Sequence, residues 1–289
     1  MTRSPRESAA AVTLRAGDAV AVVEPDRGCR LASLSTRGTE LLERGAGRGA
    51  FVMAPWCGRV DHGRFRNGGD VYQLPVPPSG NGTDREGRGS WEQGPHALHG
   101  TVRDAAWRTV RVDERSAAFT VDLTEPWPWE GRVTQLVELA ADGTGITLTL
   151  GVETAGESFP AQAGWHPWFR RTLRDGGAPA RLDFAPEWQE ERGEDHLPTG
   201  RCIEPTNGPW DDCFGMPHGV DATLTWPGEL EVAVTSRAEW LVVYDEQPDT
   251  VCLEPQTGPP DGLNTLPRFV TPIEPLEVST TWNWRHLAG

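Results

Sequence analysis

Five short segments bring titratable side chains together with glycine or proline in ways that strand alternation does not require. They are Cys57-Gly58-Arg59-Val60, His96-Ala97-Leu98-His99-Gly100, Gly164-Trp165-His166-Pro167-Trp168-Phe169, Trp210-Asp211-Asp212-Cys213-Phe214 and Glu254-Pro255-Gln256-Thr257-Gly258-Pro259-Pro260. Carboxylates, imidazoles and a guanidinium are the groups of proton transfer and of hydrogen bonding to a polar ligand. Singly, each also fits a bland role: His166 as a buried histidine donating to a carbonyl, Arg59 and Asp211 as a solvated surface pair. What is missing narrows the chemistry further. All 27 cationic side chains are arginine, so no ε-amine exists for a Schiff-base aldolase, a pyridoxal-phosphate enzyme or a Walker-type phosphate loop.

His96, His99, Cys57 and Cys213 can be drawn as a metal site, but His-x-x-His on an irregular segment is poor zinc geometry, and no metal is expected. The five cysteines, Cys29, Cys57, Cys202, Cys213 and Cys252, are odd in number and form no CxxC pair. They suggest neither a disulfide framework nor a zinc knuckle, and reduced thiols in a cytoplasm are the expectation. Cys252 stands two residues before Glu254. On a strand such residues share a face, which places an uncharged thiol either in the floor beside the carboxylate or in ordinary core packing.

The elements that must position these residues read as strands. Alternation of period two is clearest over residues 133–154, where two runs flank Asp142-Gly143, a strong hairpin signal. Similar runs recur along the chain between turn residues, and no long stretch has helical spacing. With 33 glycines and 25 prolines, about a fifth of 289 residues, the chain is broken too often for a helical protein. Residues 75–95 lack periodicity and read as one long loop, either a lid or a solvated insertion. Residues 1–10 are a candidate disordered terminus. There is no leader-like apolar stretch and no run long enough to span a membrane, which predicts a cytoplasmic protein with no membrane partner. A formal charge of −15 argues against nucleic acid as a partner. No linker divides the chain, so one domain over 1–289 is expected.

Taken together and in order, the motifs resemble the aldose 1-epimerase (mutarotase) family: residues 54–65 (APWCGRVDHGRF), HALHG followed by VRDAAW (96–107), GWHPWF (164–169), DDCF (211–214) and EPQTGPPDGLN (254–264). The resemblance spans about residues 15–285. It implies an all-β fold, a large antiparallel sandwich of the galactose mutarotase-like type, and an isomerase acting on a small-molecule sugar without cofactor, as a monomer or homodimer. Carried over position by position, it implies Glu254 as general base, His166 as general acid, and Arg59, His99 and Asp211 as sugar-binding residues. Two departures bear on the sugar preference. The family often has Asn where this chain has Gly58, and often Asn three residues before the LHG histidine, where this chain has His96. Trp56, Trp165, Trp168 and Trp210 crowd the motifs, as either sugar-stacking faces or ordinary core.

Interconverting anomers needs a base at the C1 hydroxyl and an acid at the ring oxygen, each contributing about 10² to 10⁴ in rate. With ordinary values near 4.3 and 6.5, an ionised Glu254 and a protonated His166 coexist only over a narrow range below neutrality. Neutral-pH activity then requires carboxylates that raise the histidine's value, Asp211 being the candidate. Without lysine, a phosphate site needs arginines beyond Arg59 or a helix amino terminus, so a free hexose is expected over a phosphorylated one. The competing readings are a glycoside hydrolase using Asp211 as second carboxylate, a carbohydrate-binding module without turnover, and an epimerase of a phosphorylated or acidic sugar.

Overall fold

The computed structural model describes residues 10–76 and 95–287. Strands account for nearly all the regular structure because the period-two runs each have one face to bury. Gly131–Leu139 buries Val133, Gln135, Val137 and Leu139 and pairs antiparallel with Gly145–Glu153, bringing Leu139 opposite Ile146. The turn between them is the Asp142-Gly143 hairpin read from the sequence. Gly143 adopts φ +73°, and a Cβ there would stand 2.3 Å from the Ala16 carbonyl oxygen, so only glycine fits.

Two large sheets result. One has eleven strands, its centre running in the order Ala50–Met53, Gly164–Arg170, Thr250–Gln256, Trp240–Tyr244 and Asp211–Gly215. The other has eight, running from Arg108–Val112 through the hairpin and Leu276–His286 to Arg181–Phe184. Neighbouring strands within both are antiparallel. The sheets meet through their apolar faces, where the Phe169 and Trp282 rings lie 5.1 Å apart between centroids. Gln135 is a buried polar bridge within this core: its Oε1 accepts from Trp165 Nε1 at 3.0 Å and its Nε2 donates to the Cys29 carbonyl at 2.7 Å. A buried amide left unpaired costs several times the net worth of one hydrogen bond, so full satisfaction is what permits its place.

Among the described residues the only α-helical segment is the single turn Gly262–Thr265, and no helix is long and apolar enough to cross a membrane. Residues 77–94 lie outside the described residues, and so does most of the loop expected at 75–95.

The central strands break the exposed-and-buried alternation. Thr250–Gln256 is buried at every position, and Gly164–Arg170 at all but the last. Period two survives in another form. Odd residues Trp165, Phe169, Val251 and Leu253 enter the core between the sheets, while even residues His166, Trp168, Cys252, Glu254 and Gln256 project from the opposite face. That outer face is roofed by other parts of the chain and forms the floor of a cleft.

Candidate active site

Register decides which side chains meet on that floor. Gly164 pairs with Gln256 and Trp168 with Cys252, so His166, midway, stands across from Glu254. Phe51 pairs with His166 on the other side, and Val242 with Glu254. One row across the sheet therefore reads Phe51, His166, Glu254, Val242, Cys213, and the next reads Trp168, Cys252, Tyr244, Asp211.

Above these rows opens a cleft of about 540 Å³ whose lining includes Arg59, His99, His166, Asp211 and Glu254. The structure thus brings all five sequence-derived residues to one space. Arg59 and His99 come from outside the sheet, from the small ladder in which Arg59 pairs with Leu98. His99 and Gly100 have φ of +57° and +78°. Gly100 has no alternative, because a Cβ would lie 1.9 Å from the Ala54 carbonyl oxygen. His99 accepts a conformation costly for a side-chain-bearing residue and thereby points its ring into the cleft, edge-on to His166 at 5.3 Å.

His166 Nε2 stands 3.1 Å from Glu254 Oε1, with both side chains almost wholly buried. The imidazole is sandwiched between Phe51 at 4.5 Å and Trp168 at 4.8 Å, and each outer ring carries a guanidinium, Arg103 over Phe51 at 4.7 Å and Arg48 over Trp168 at 4.2 Å. Burial pushes the Glu254 carboxyl well above its ordinary range, with the Asp211 charge adding to the rise and Arg59 opposing it. Burial also pushes His166 well below its ordinary value, as do the positive charges of Arg103, Arg48 and Arg30. Both shifts favour uncharged forms.

This differs from the expectation that Asp211 raises His166. Asp211 belongs to another part of the cleft: its Oδ2 accepts from Arg192 Nη1 at 2.8 Å, and Arg192 Nη1 also lies 2.9 Å from His196 Nδ1. Its negative charge is felt by Glu254 and Arg59 instead. Asp211 is itself raised by its burial, against the lowering influence of Arg59 and Arg192.

The family model described as aldose 1-epimerase matches residues 10–260. The chain belongs to the aldose 1-epimerase family. No curated protein sequence matches it. Among solved structures, a putative aldose 1-epimerase from Escherichia coli K12 is similar at 22% identity and a TM-score of 0.79, over 96% of this chain and 99% of that one. A galactose mutarotase-like protein from Clostridium acetobutylicum reaches the same TM-score at 17% identity, over 96% and 95%. A galactose 1-epimerase from Lactobacillus acidophilus NCFM has a TM-score of 0.77 at 15% identity, over 99% and 97%. At such identities the structural likeness establishes the mutarotase-like sandwich.

Both departures from the aldose 1-epimerase pattern find a physical reading. Gly58 has φ +62°, a left-handed conformation that glycine and asparagine both tolerate, so the exchange preserves the backbone that presents Arg59. His96 is not in the cleft. Its Nδ1 accepts from the His62 amide at 3.1 Å and its Nε2 lies 3.1 Å from the Asp195 carbonyl oxygen, which occupies both nitrogens. Of the four tryptophans near the motifs only Trp168 lines the cleft, and its two faces are taken by His166 and Arg48. Trp56 and Trp165 are core, and Trp210 packs against Phe184 and Phe214. The sequence reading missed Arg48, Arg103, Arg192 and His196. Arg103 stands inside the VRDAAW motif and was not singled out there, while Arg48, Arg192 and His196 lie in polar, charged stretches where nothing in the spacing points inward.

Proposed function

We propose that the protein is an aldose 1-epimerase that interconverts the α and β anomers of a free aldohexose. The observation that carries this reading is the His166–Glu254 pair, 3.1 Å apart on the floor of a sugar-sized cleft. O1 and O5 of a pyranose are both bonded to C1, so two groups this close reach both oxygens at once. Ring opening takes the O1 proton onto the carboxylate while the imidazolium protonates O5. The exchange leaves a carboxylic acid and a neutral imidazole, the arrangement that burial favours. Rotation about C1–C2 presents the other face of the aldehyde, and closure returns both protons. Arg59, His99 and Asp211 surround the pair and supply donors and an acceptor for the sugar hydroxyls. The excess over acid–base catalysis comes from holding C1 over the pair.

The test is the optical rotation of freshly dissolved α-glucose and α-galactose with and without the protein. Acceleration supports the proposal. Sugar binding without acceleration transfers the protein to the carbohydrate-binding class. A second reading, an acidic or phosphorylated sugar, is favoured by one observation: Arg48, Arg103 and Arg192 join Arg59 in the cleft lining, which removes the scarcity of cations that argued against it. Side-by-side turnover of glucose and glucose 6-phosphate separates the two.

A further inference from the structure

One side chain packed directly beneath the cleft floor is not used by anomer chemistry. Cys252 precedes Glu254 by two residues on the same strand and face and pairs with Trp168. Its thiol is free and fully buried. A sulfur of Cys252, a ring nitrogen of His166 and a carboxylate oxygen of Glu254 all lie within 4.8 Å of one another. We propose that these three side chains bind a thiophilic divalent cation, Zn²⁺ or Cd²⁺, with a water or sugar hydroxyl as fourth ligand, and that the bound ion stops turnover.

The donor set is one thiolate, one imidazole and one carboxylate, three protein ligands with an open position. Zinc bonds of about 2.0–2.3 Å at tetrahedral angles put ligand atoms roughly 3.3–3.6 Å apart, so the measured spacing needs only small side-chain movements. Charge favours the ion as well. The metal displaces the Cys252 thiol proton, and any proton on the Glu254 carboxyl, to solvent, and M²⁺ with one thiolate and one carboxylate is neutral, so the buried floor gains no net charge. The guanidinium groups of Arg48 and Arg103 are engaged over the Trp168 and Phe51 rings that flank the imidazole. A second group of potential ligands, Asp61, His62 and His96, lacks this capacity because both His96 nitrogens are already engaged. Inhibition follows from the epimerase reading, because the ion takes the lone pairs that the acid and base require; binding does not depend on that reading.

The experiment uses the full chain carrying Cys202→Ser, which removes the exposed thiol. Titration with Cd²⁺ should produce the sulfur-to-cadmium charge-transfer absorption with one equivalent, reversed by EDTA and displaced by Zn²⁺. Adding Cys252→Ser should abolish that absorption and weaken Cd²⁺ binding at least about 10-fold, since even outer-shell partners of a metal cost 10- to 100-fold. Cys213→Ser should leave the absorption in place. Absorption that survives Cys252→Ser, or none in the parent at micromolar Cd²⁺, overturns the site. If Cys252→Ser does not fold, Glu254→Gln with the thiol intact should weaken Cd²⁺ binding by a similar factor, and unchanged affinity overturns the site equally. Anomerisation at the parent rate in the Cd²⁺-saturated protein overturns the inhibitory role. A parent that binds Cd²⁺ at Cys252 but never accelerates anomerisation refutes the epimerase reading and leaves the metal site standing.

Discussion

Removing either member of the His166–Glu254 pair should disable the other. The two groups stand 3.1 Å apart in a site where burial raises the carboxyl and lowers the imidazole, so that each favours its uncharged form. Glu254→Gln keeps an oxygen acceptor in the same place but can neither take nor give that proton, and His166→Asn does the same from the other side. Each single variant should lose about 10² to 10⁴ in kcat/KM, about 2.7 to 5.4 kcal/mol of transition-state stabilisation. KM should stay within a few-fold, because Arg59, His99 and Asp211, to which the proposal assigns the sugar hydroxyls, are untouched. The double variant is the sharper test. Independent contributions would multiply, to about 10⁴ to 10⁸, whereas a pair that exchanges one proton should cost no more than its worse single variant. Polarimetry of fresh α-aldose, with circular dichroism to confirm folding, gives all three numbers. A multiplicative double variant, or a single variant at the parent rate, refutes the shared-proton mechanism.

Activity should need the singly protonated pair, failing at low pH as His166 gains a proton and at high pH as Glu254 loses one. Arg103→Gln removes a positive charge that lowers His166, so the acid limb of the kcat/KM profile should move to higher pH; no movement would remove Arg103 from the account. Asp211→Asn removes a negative charge that raises Glu254, so the alkaline limb should move to lower pH, as the same profile will show. A carboxyl raised by folding contributes stability below its unfolded value that is lost as pH rises through the folded one; thermal melts should show Glu254→Gln gaining on the parent with increasing pH. Gly100→Ala should lower stability by more than about 1 kcal/mol in denaturant titrations and reduce activity through displacement of His99, because the backbone has φ +78° and the added carbon meets the Ala54 carbonyl.

The strand-rich character and the hairpin at Asp142-Gly143 were legible because one-sided burial leaves period two in the residues themselves, whereas the sandwich architecture followed from the family resemblance. The central strands were legible only as motifs. Thr250–Gln256 is buried on both faces, so polarity no longer marks its alternation, and the separation of Leu253 from Glu254 shows only once two different environments are seen above and below the sheet. The convergence of Arg59, His99, His166, Asp211 and Glu254 came from motif order, which carries family history that propensity does not. Roles that depend on distance were beyond reach. The sequence alone makes Asp211 the histidine's partner because nothing in the chain reveals Arg192 at 2.8 Å. Trp165 looked as fit to stack on a sugar as Trp168 until strand parity sent one inward and the other outward.

The cleft draws its permanent cations from arginine alone: Arg48, Arg59, Arg103 and Arg192 line it, and the chain contains no lysine. On the epimerase reading proposed above, a sugar opened on this floor would spend part of each cycle as a free aldehyde, the form of an aldose that condenses with amines to imines and then to stable adducts. Guanidinium groups attract the same oxygens but stay protonated and hold no nucleophilic lone pair. Such an intermediate would meet charge without meeting a lysine amine. On the epimerase reading, turnover in such a cleft would leave no lysine of the binding surface to be glycated.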